Sequence, residues 1–555
     1  MAHATMGDTR RHPTLLLASC IGLAACIGQI GGGEDGAGEE DPDGVAESGW
    51  STPAMKRLTT TQYANAIADV FGPQVVLTKA LEEDETNELF LSMGAAKVGT
   101  SEYGVELYHE AAIDIASQVV ADADGQAALS GCAPFEPGTS CVADALETYA
   151  QQLWRRPVEG EELAALTAIV GQPGSGTAED WALGMTYAIA AIVASPSFLY
   201  MPEVGEVDLA KGVHRYTSYE MASRLSFALW NTIPDEKLLE AAAADRLVTP
   251  EGIRAEVARM LEHDKAGDVA TRFFGEAWFV AKLDFTDKNT DVVPEWTPDL
   301  VAAYQQEFDL VLRDLLARDA DIMEIFTGTE TFVNPLLATA YGMSEPSGED
   351  FAPASLPTTR AGLLTSGAVV SAISPSDRTS PTRRGKFILE QVLCDDVPPP
   401  PPNVDDTIEA PTPEEGLTLK EKLAQHREDP ACAGCHDMID PIGFTLENFD
   451  AVGAYRELDN GSPVDASGQL GDETLDGVSD LVDYVVADPR TTACIAERLY
   501  AFASGHEAAA GEPAVVELVA EAFASHHSFK TLLTELLVSD AFRYLQPGNP
   551  DAPKN

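Results

Sequence analysis

Positive charge is scarce in this sequence. Its 555 residues include 35 Lys and Arg against 90 Asp and Glu, which gives a net charge of −55 that is spread along the chain. This balance argues against nucleic-acid binding and against electrostatic docking on anionic lipid. Diffuse acidity most often serves solubility, and a basic protein partner is the alternative use of such a surface.

Several patterns that carry chemistry in other proteins are also absent. The sequence has no H-E-x-x-H, no phosphate-binding loop, and no frame for a serine or cysteine nucleophile. It has no second C-x-x-C and no H-x-H, one of which a four-ligand zinc site would need. After the N-terminal apolar run, no second candidate membrane span follows. These absences leave one motif as the main indication of chemistry.

That motif is Cys432-Ala433-Gly434-Cys435-His436. C-x-x-C-H is the attachment site of a c-type haem, in which the two thiols bind the vinyl groups and the histidine binds iron. With 8 Cys and 10 His in the chain, chance gives only about 0.002 such motifs. The alternatives are a redox-active cysteine pair, half of a zinc site, or an ordinary disulfide. We predict one covalent haem c on Cys432 and Cys435, with His436 as the proximal iron ligand.

The N-terminus has the pattern of a lipoprotein signal peptide. Basic residues at 10–12 precede an apolar run at 14–25 that ends in Leu-Ala-Ala before Cys26. Cleavage before Cys26 would leave its thiol for lipidation, so the run is a removed targeting segment and not a membrane span. Cys20 also follows a similar pattern, but it would leave too short an apolar region, and plain secretion is the other alternative. We predict an exported cell-envelope lipoprotein, at the outer membrane or periplasmic face, attached to membrane only by its lipid.

Export also accounts for the remaining cysteines. Bacteria attach haem c outside the cytoplasm, where disulfides persist as well. After the signal, lipid and haem cysteines are assigned, four cysteines remain, and they allow three pairings. We favour Cys132 with Cys141, across a short Pro/Gly loop, and Cys394 with Cys494, which would tie the haem segment at both ends. Four buried free thiols are the alternative.

Apolar residues recur at helical spacing through most of the chain, while strand signals are few and short. The predicted fold is therefore mainly all-α, with several helical domains and a C-terminal cytochrome c-like haem module. The predicted helices cover 63–71, 105–120, 143–154, 181–193, 218–230, 250–261, 270–280 and 300–316. Within 218–230, Met221, Leu225, Ala228 and Leu229 share one face, which we expect to lie in the core.

Composition changes along the chain indicate its organisation. A Gly/Asp/Glu-rich stretch follows the signal peptide, and the proline run 398–402 is typical of an extended connector. The predicted segments are a signal peptide (1–25), an acidic flexible tether (26–50), an N-terminal helical domain (51–127), a helical domain with the Cys132/Cys141 loop (128–208), a central helical domain (209–350), a connector with the proline run (351–410), the haem module (411–510), and C-terminal helices with a tail (511–555).

The sixth iron ligand decides between an electron carrier and a catalyst. A methionine or histidine there favours electron transfer, and an open position admits a small molecule. The chain has no methionine after Met438, which lies two residues past His436 and is too close to reach the opposite haem face. A downstream methionine is thus excluded. The remaining candidates are His426, His506, the pair His526 and His527, an upstream methionine, or an open position.

Of these candidates we favour His426. Thr418 and Glu421 form a predicted capping box that opens a helix through His426, and Leu419, Leu423 and His426 would share one face of it. A histidine bonded to a haem propionate or to the backbone is the alternative role. After the motif, the D-P-I-G-F stretch 440–444 is predicted to be a turn that folds back over the porphyrin.

Charged residues offer a second group of candidates. The conspicuous arginines would either bind haem propionates or an anionic substrate, or pair with the abundant carboxylates. The acidic residues after the motif would cap turns by default, with acid/base chemistry as the alternative. The arginines are Arg155, Arg156, Arg224, Arg378, Arg383 and Arg384, and the acidic residues are Asp440, Glu447 and Asp450.

Short sequence signatures, each different from the others, are distributed between residues 56 and 506. In the first half they are Arg57-Leu58-Thr59, Gln62-Tyr63, Trp154-Arg155-Arg156-Pro157, Ser195-Pro196-Ser197-Phe198-Leu199-Tyr200, Tyr219-Glu220, Ser223-Arg224-Leu225-Ser226, Leu229-Trp230 and Pro234-Asp235. In the second half they are Phe332-Val333-Asn334, Tyr341-Gly342, Ser380-Pro381, Arg384-Gly385, His426, Asp440-Pro441, Gly443-Phe444, Glu447, Phe449-Asp450 and Gly453. With the haem motif, these signatures resemble the planctomycete-type c-type cytochrome proteins, which fuse several domains of unknown function with a haem segment.

The resemblance implies the domain architecture and the haem, but no reaction, because no biochemical activity is established for that family. One position departs from the pattern: the family's last helix usually ends in Gly-Arg, whereas this chain has Gly505-His506. Any role of that arginine is therefore not carried over. His506 instead becomes a candidate iron ligand that relatives lack.

We predict that the protein is a monohaem c-type cytochrome that transfers electrons to or from a partner protein. The alternatives are a haem-dependent oxidoreductase with an open distal site, and an extracellular polysaccharide-binding protein in which the haem is structural. A single C-x-x-C-H argues against a dihaem peroxidase, which needs a second haem to hold an electron.

Overall fold

The structure is a computed structural model that describes residues 54–121, 140–171, 178–398, 417–427, 430–508 and 513–545. The predicted signal peptide and tether, Cys26, Cys132, the side chain of Cys141 and most of the proline run lie outside the described residues. The described part is mainly helical, as predicted, with few short strands. None of its helices has the length and apolar character needed to span a membrane.

The helices are numbered here in chain order. The first group is α1 Thr60–Phe71, α2 Leu91–Lys97, α3 Glu102–Ala121, α4 Ser140–Trp154, α5 Gly160–Val170, α6 Ala178–Val193, α7 Pro196–Leu199, α8 Ser218–Trp230, α9 Glu236–Ala243, α10 Pro250–Leu261, α11 Val269–Ala277 and α12 Pro298–Arg318. The second group is α13 Glu324–Thr327, α14 Pro335–Ala340, α15 Gly367–Ala372, α16 Pro381–Phe387, α17 Leu419–His426, α18 Pro430–Phe444, α19 Val478–Ala487, α20 Pro489–Ser504, α21 Pro513–Phe523, α22 Phe529–Val538 and α23 Asp540–Arg543.

The strands are short and antiparallel. They are β1 Ala54–Arg57, β2 Tyr200–Glu203, β3 Glu206–Asp208, β4 Val213–Arg215, β5 Glu330–Val333, β6 Ala352–Ser355, β7 Leu458–Asp459, β8 Ser462–Pro463, β9 Ser467–Leu470, β10 Glu473–Asp476 and β11 Tyr544–Leu545. β4 lies between β3 and β11, and the others pair as β1 with β2, β5 with β6, β7 with β8, and β9 with β10. The β11–β4 pairing places the C-terminal residues 544–545 beside residues 214–215.

Capping residues explain why α8 has the predicted bounds. Thr217 accepts the backbone N–H of Glu220 and Glu220 reaches back to cap Thr217, so α8 begins at Ser218. Asn231 ends α8 in a left-handed conformation, with φ 54°. The predicted core face of α8 is buried. The prediction for 270–280 extends too far, because Phe279 takes a positive φ of 63° after α11 has ended.

Two buried apolar cores hold the helices together. The N-terminal core is formed by α1, α3, α4, α5, α6 and α7, and it includes Tyr63, Leu146 and Ile189. The larger core joins α2 and the helices from α8 onwards except α17, including the C-terminal α22 and α23. β1 pairs with β2 beside the first core, in a register that sets Lys56 opposite Met201. This pairing brings the start of the described chain against α8.

A disulfide joins Cys394, after α16, to Cys494 in α20. This is the pairing that the cysteine count favours. The two half-cystines are 100 residues apart in sequence, and the motif 432–436 lies between them. The cross-link therefore closes a loop of chain that contains the whole C-x-x-C-H motif.

Candidate haem-attachment site

The C-x-x-C-H motif lies on α18, which continues from Pro430 to Phe444. The predicted turn at 440–444 is wrong, because these residues remain helical even though Pro441 is inside the helix. A proline in a helix removes one backbone hydrogen bond and normally costs about 3 kcal/mol. Here α18 packs along α16, and that tertiary contact keeps the last turn helical despite the proline.

Two glycines allow α16 and α18 to cross closely. A Cβ on Gly443 would lie 1.8 Å from the carbonyl oxygen of Pro381, and a Cβ on Gly385 would lie 2.0 Å from that of Ile439. Each helix therefore presents its bare backbone to a carbonyl of the other. This approach brings the side chains of α16 within hydrogen-bonding distance of α18.

The imidazole of His436 is held by a buried carboxylate. Nδ1 of His436 lies 3.1 and 3.0 Å from the two carboxylate oxygens of Asp440, one helical turn further on. Asp440 is fully buried, and its Oδ1 also accepts a 2.7 Å hydrogen bond from the hydroxyl of Thr382 on α16. The hydrogen bond to Asp440 raises the pKa of His436 above its usual value. Asp440 thereby fixes the orientation of the ring through Nδ1.

The two motif thiols are not bonded to each other. Cys432 and Cys435 are both free cysteines and half-buried, and their i, i+3 spacing places them on one face of α18. Gly434 between them is exposed, and no atom lies within 4 Å of the position that a Cβ would occupy there. Two available thiols and an imidazole with Nδ1 already engaged are the donors that haem c requires, so these residues fit the group.

A buried ionic cluster lies under the motif helix. Arg384 of α16 is fully buried and donates 2.7 Å hydrogen bonds to the Leu446 carbonyl and to Oε1 of Glu447, plus one of 3.0 Å to the Asp450 carbonyl. Arg456 donates to the other oxygen of Glu447 at 3.0 Å. Glu447 and Asp450 thus have structural contacts, and Asp450 also caps its own turn.

The helix that ends at the favoured distal ligand packs on the motif helix. Thr418 and Glu421 form the predicted capping box at the start of α17. Leu419 and Leu423 of α17 form a small apolar cluster with Phe444 of α18. The side chain of His426 lies outside the described residues, so its role as a ligand remains a prediction.

The other histidine candidates contact different parts of the fold. His506 packs edge-on against Tyr500 at 5.6 Å between ring centroids, and its Nδ1 lies 2.8 Å from the Glu507 carbonyl. His526 is exposed, while Nδ1 of His527 lies 3.1 Å from the carboxylate of Asp321. None of these described contacts is with a residue of α18.

The conspicuous arginines are mostly paired within the protein. Arg156 pairs with Glu162 at 2.7 Å and Arg378 with Asp377 at 3.2 Å. Arg155 is buried and donates to backbone carbonyls, including that of Tyr200 at 2.8 Å. The carboxylate pairs of Arg156 and Arg378 agree with the structural alternative. Arg224 differs, because it lines a cavity away from the motif helix.

Sequence reasoning missed Asp440 as the partner of His436. Its i, i+4 position would have indicated the contact if the segment had been predicted as helix. No local signal identifies Thr382, which is 58 residues away and reaches Asp440 only through the α16–α18 crossing.

The chain is mainly helical, its C-x-x-C-H motif lies on a helix, and its domains have a multidomain arrangement. The chain belongs to the multidomain planctomycete cytochrome-type family, because five domain families described as proteins of unknown function match it in succession. They are DUF1587 at 56–121, DUF1595 at 141–203, DUF1592 at 216–343, DUF1588 at 360–459 and DUF1585 at 471–542. DUF1588, which carries the name PSCyt3, spans the motif. No curated protein and no solved structure matches the chain significantly.

Proposed function

We propose that this protein is an exported, lipid-anchored monohaem c-type cytochrome that transfers electrons to or from a partner protein. The observation that carries the proposal is the arrangement on α18, where two free thiols precede a histidine whose Nδ1 is held by the buried Asp440. The family name PSCyt3 for the segment around the motif supports a cytochrome.

When bound, a haem c supplies one-electron chemistry at its iron. Cys432 and Cys435 would hold it through thioether bonds, and His436 would bind iron through Nε2. Asp440 keeps the ring of His436 oriented and accepts the hydrogen bond that Nδ1 donates. A carboxylate partner makes an imidazole a stronger donor and so stabilises the oxidised state of a bound metal.

Export and anchoring have independent support. The disulfide between Cys394 and Cys494 is typical of an oxidising compartment, and the sequence before Cys26 has the pattern of a lipoprotein signal. The net charge of −55 favours a basic surface on a redox partner. Replacement of Cys26 by Ala should release the protein from membranes, as measured by fractionation and by incorporation of labelled palmitate.

The His436–Asp440 contact also suits the second candidate, a haem-dependent oxidoreductase. A strongly donating proximal histidine favours activation of a molecule bound at an open distal face. The two functions differ in the sixth ligand, because electron carriers keep that position filled.

The test is visible absorption of the protein after export with haem c maturation machinery. The expected result is covalent haem that survives denaturation in the parent and is absent from Cys432→Ala, with sharp low-spin bands. His426→Ala should change the spin state, and His214→Ala is the matched control that should not. High-spin bands that shift with carbon monoxide would instead support the oxidoreductase. Absence of covalent haem from the parent would overturn both functions.

A further inference from the structure

The carboxylate that holds His436 is itself held by a hydroxyl on another helix. Oγ1 of Thr382, on α16, donates a 2.7 Å hydrogen bond to Oδ1 of Asp440, on α18. The same Oδ1 lies 3.1 Å from Nδ1 of His436, and Oδ2 lies 3.0 Å from it. Thr382 and His436 therefore share one oxygen of Asp440, and the three side chains connect α16 to the motif.

Asp440 has few other contacts that balance its charge. It is 0% exposed, and among the described residues its one ion pair is with His436. An ionised carboxylate only accepts hydrogen bonds, so the hydroxyl of Thr382 donates. Because water does not compete in a buried site, each donor there changes the charge on the carboxylate more than it would at the surface.

The position of Thr382 in α16 leaves its hydroxyl available for this contact. Threonines inside helices can donate to the carbonyl four residues earlier. In this protein the hydroxyls of Thr148, Thr167, Thr186 and Thr534 do so, at 2.7 to 2.9 Å. Thr382 is the second residue of α16, so the residue four positions earlier lies outside the helix. Its hydroxyl instead bonds across the helix crossing to Asp440.

The surrounding backbone fixes where this hydroxyl lies. Ser380 caps the start of α16, and Pro381 occupies the first helical position. Gly443 lets α16 and α18 approach closely, since a Cβ there would lie 1.8 Å from the Pro381 carbonyl oxygen. A β-branched threonine also has few accessible χ1 rotamers. The hydrogen bond to Asp440 is therefore built into the crossing of the two helices.

We propose that Thr382 is a positioning residue that weakens the hydrogen bond between Asp440 and His436 and thereby raises the reduction potential of the bound haem. Two donors that share one carboxylate oxygen each leave less of its negative charge for the other. Thr382 thus lowers the charge that faces Nδ1, so His436 is a weaker donor to a metal than Asp440 alone would make it. This role rests on the proposed function, because it requires the haem.

The sign of the effect distinguishes this role from simple support of the fold. Loss of the Thr382 hydroxyl should lower the reduction potential, because the full charge of Asp440 then faces His436. Loss of the Asp440 charge should raise the potential instead. A hydrogen bond that only joined the two helices would change stability in both cases and would give no reason for opposite shifts.

The test is a spectroelectrochemical titration of the full haem-loaded protein. Thr382→Val keeps the shape of the side chain and removes the hydroxyl. We expect the equilibrium constant for reduction of the haem to fall at least about 3-fold, which is about 30 mV for a one-electron couple. A change of about 3-fold lies within the weaker part of the range for one hydrogen bond. Thr382→Ser retains the hydroxyl and should keep the potential of the parent.

Thr445→Val is the matched control. Thr445 is buried, and its hydroxyl donates at 2.6 Å to the Ile442 carbonyl of α18 and not to Asp440. This variant loses a threonine hydroxyl beside the same helix, but it should keep the potential of the parent. Thr382→Ala removes the hydroxyl with less bulk, so it provides the same test if Thr382→Val fails to fold.

A double substitution tests whether the effect passes through Asp440. In an Asp440→Asn protein, Thr382→Val should no longer lower the potential, because the charge that the hydroxyl modulates is gone. The proposal is overturned if folded Thr382→Val or Thr382→Ala keeps or raises the potential of the parent. An equal fall in Thr445→Val, or in the Asp440→Asn background, overturns it as well. Absence of covalent haem from the parent would overturn the proposed function and this role together, whereas an unshifted potential in a haem-loaded variant rejects only the role of Thr382.

Discussion

The protein contains two buried ionic clusters that differ in how completely they are satisfied. Under the motif helix, Arg384 donates to two carbonyls and to Glu447, and Glu447 is also bonded by Arg456. At the cavity, Nη1 of Arg224 forms an ion pair with Glu203 at 2.6 Å, while its Nε and Nη2 have no hydrogen-bond partner among the described residues. A buried cluster in which more of the polar groups are hydrogen-bonded fixes one arrangement of the chain more firmly.

Loss of each central arginine should give the largest contrast. Arg384→Met removes buried hydrogen bonds to the Leu446 and Asp450 carbonyls and one of the two arginines that pair with Glu447, so we expect a loss of about 3–5 kcal/mol in the free energy of unfolding. Arg224→Met leaves Glu203 still paired with Lys56, so its loss should be smaller by at least about 1 kcal/mol. Urea unfolding followed by circular dichroism measures both. Equal losses would show that the two clusters do the same structural job.

The glycines at the α16–α18 crossing test how tightly the motif side is packed. Gly443→Ala places a methyl group 1.8 Å from the Pro381 carbonyl, and such overpacking should cost about 1–3 kcal/mol. Gly434→Ala is the matched control within the same helix, because nothing lies within 4 Å of its Cβ. It should be neutral or stabilise by up to about 1 kcal/mol. Thermal unfolding measures the stability of both variants. Similar melting temperatures would contradict close packing at Gly443.

Glu276 lines the same cavity as Arg224. Its protonation should make the stability of the protein depend on pH, and the substitution Glu276→Gln should remove this dependence. The folded-state pKa of Glu276 is raised to about 7 from its ordinary 4.5, so the folded protein holds this proton more tightly than the unfolded chain. The contribution of Glu276 to stability is therefore full below about pH 4.5 and is lost as the pH rises through 7. Glu276→Gln should be more stable than the parent at pH 8, by at most about 3 kcal/mol, and equally stable near pH 4.5.

Melting temperatures between pH 4.5 and 8 measure this difference. Glu161→Gln changes an exposed carboxylate at the start of α5 and serves as the control, whose curve should run parallel to that of the parent. A parallel curve for Glu276→Gln would mean that the cavity carboxylate stays charged over this range.

The smallest expected effect concerns Asp440. Asp440→Asn keeps the size of the side chain but removes the negative charge next to His436, so the reduction potential of the bound haem should rise. A loss of about 1 kcal/mol in the charge-assisted hydrogen bond corresponds to roughly 40 mV for a one-electron couple. Asp437→Asn alters an exposed carboxylate of the same helix and should shift the potential less. Spectroelectrochemical titration measures the reduction potentials of both variants. Equal shifts would show that Asp440 affects the haem no more than an exposed carboxylate of the same helix does.

Local sequence signals determined the helices that begin at strong caps. Thr217 with Glu220, and Thr249 before Pro250, define the starts of α8 and α10, so both helices could be predicted from adjacent residues. The stretch 440–444 could not. Pro441 and Gly443 are turn formers by local preference, and only the contact of α18 with α16 keeps them helical.

The candidate site also contains residues that could be predicted from the sequence and contacts that could not. Cys432, Cys435 and His436 can be recognised from the sequence, because the C-x-x-C-H spacing alone indicates a haem-attachment motif. The pair of Arg384 and Glu447 joins residues that are 63 apart in sequence, and the guanidinium of Arg224 meets Glu203 across separate elements. Such partners become neighbours only through packing, which no local pattern encodes.

The disulfide between Cys394 and Cys494 has a consequence for the order of assembly. Synthesis proceeds from the N-terminus, so Cys394 emerges first and meets Cys432 and Cys435 before its proper partner exists. The premature pairing also closes the shorter loop, which chain statistics favour. If the protein carries the proposed haem c, efficient maturation would require either that the haem react early with its two thiols, or that an exchange catalyst break the wrong disulfide. In the proposed cytochrome, the cross-link would make the time of haem attachment part of the folding process.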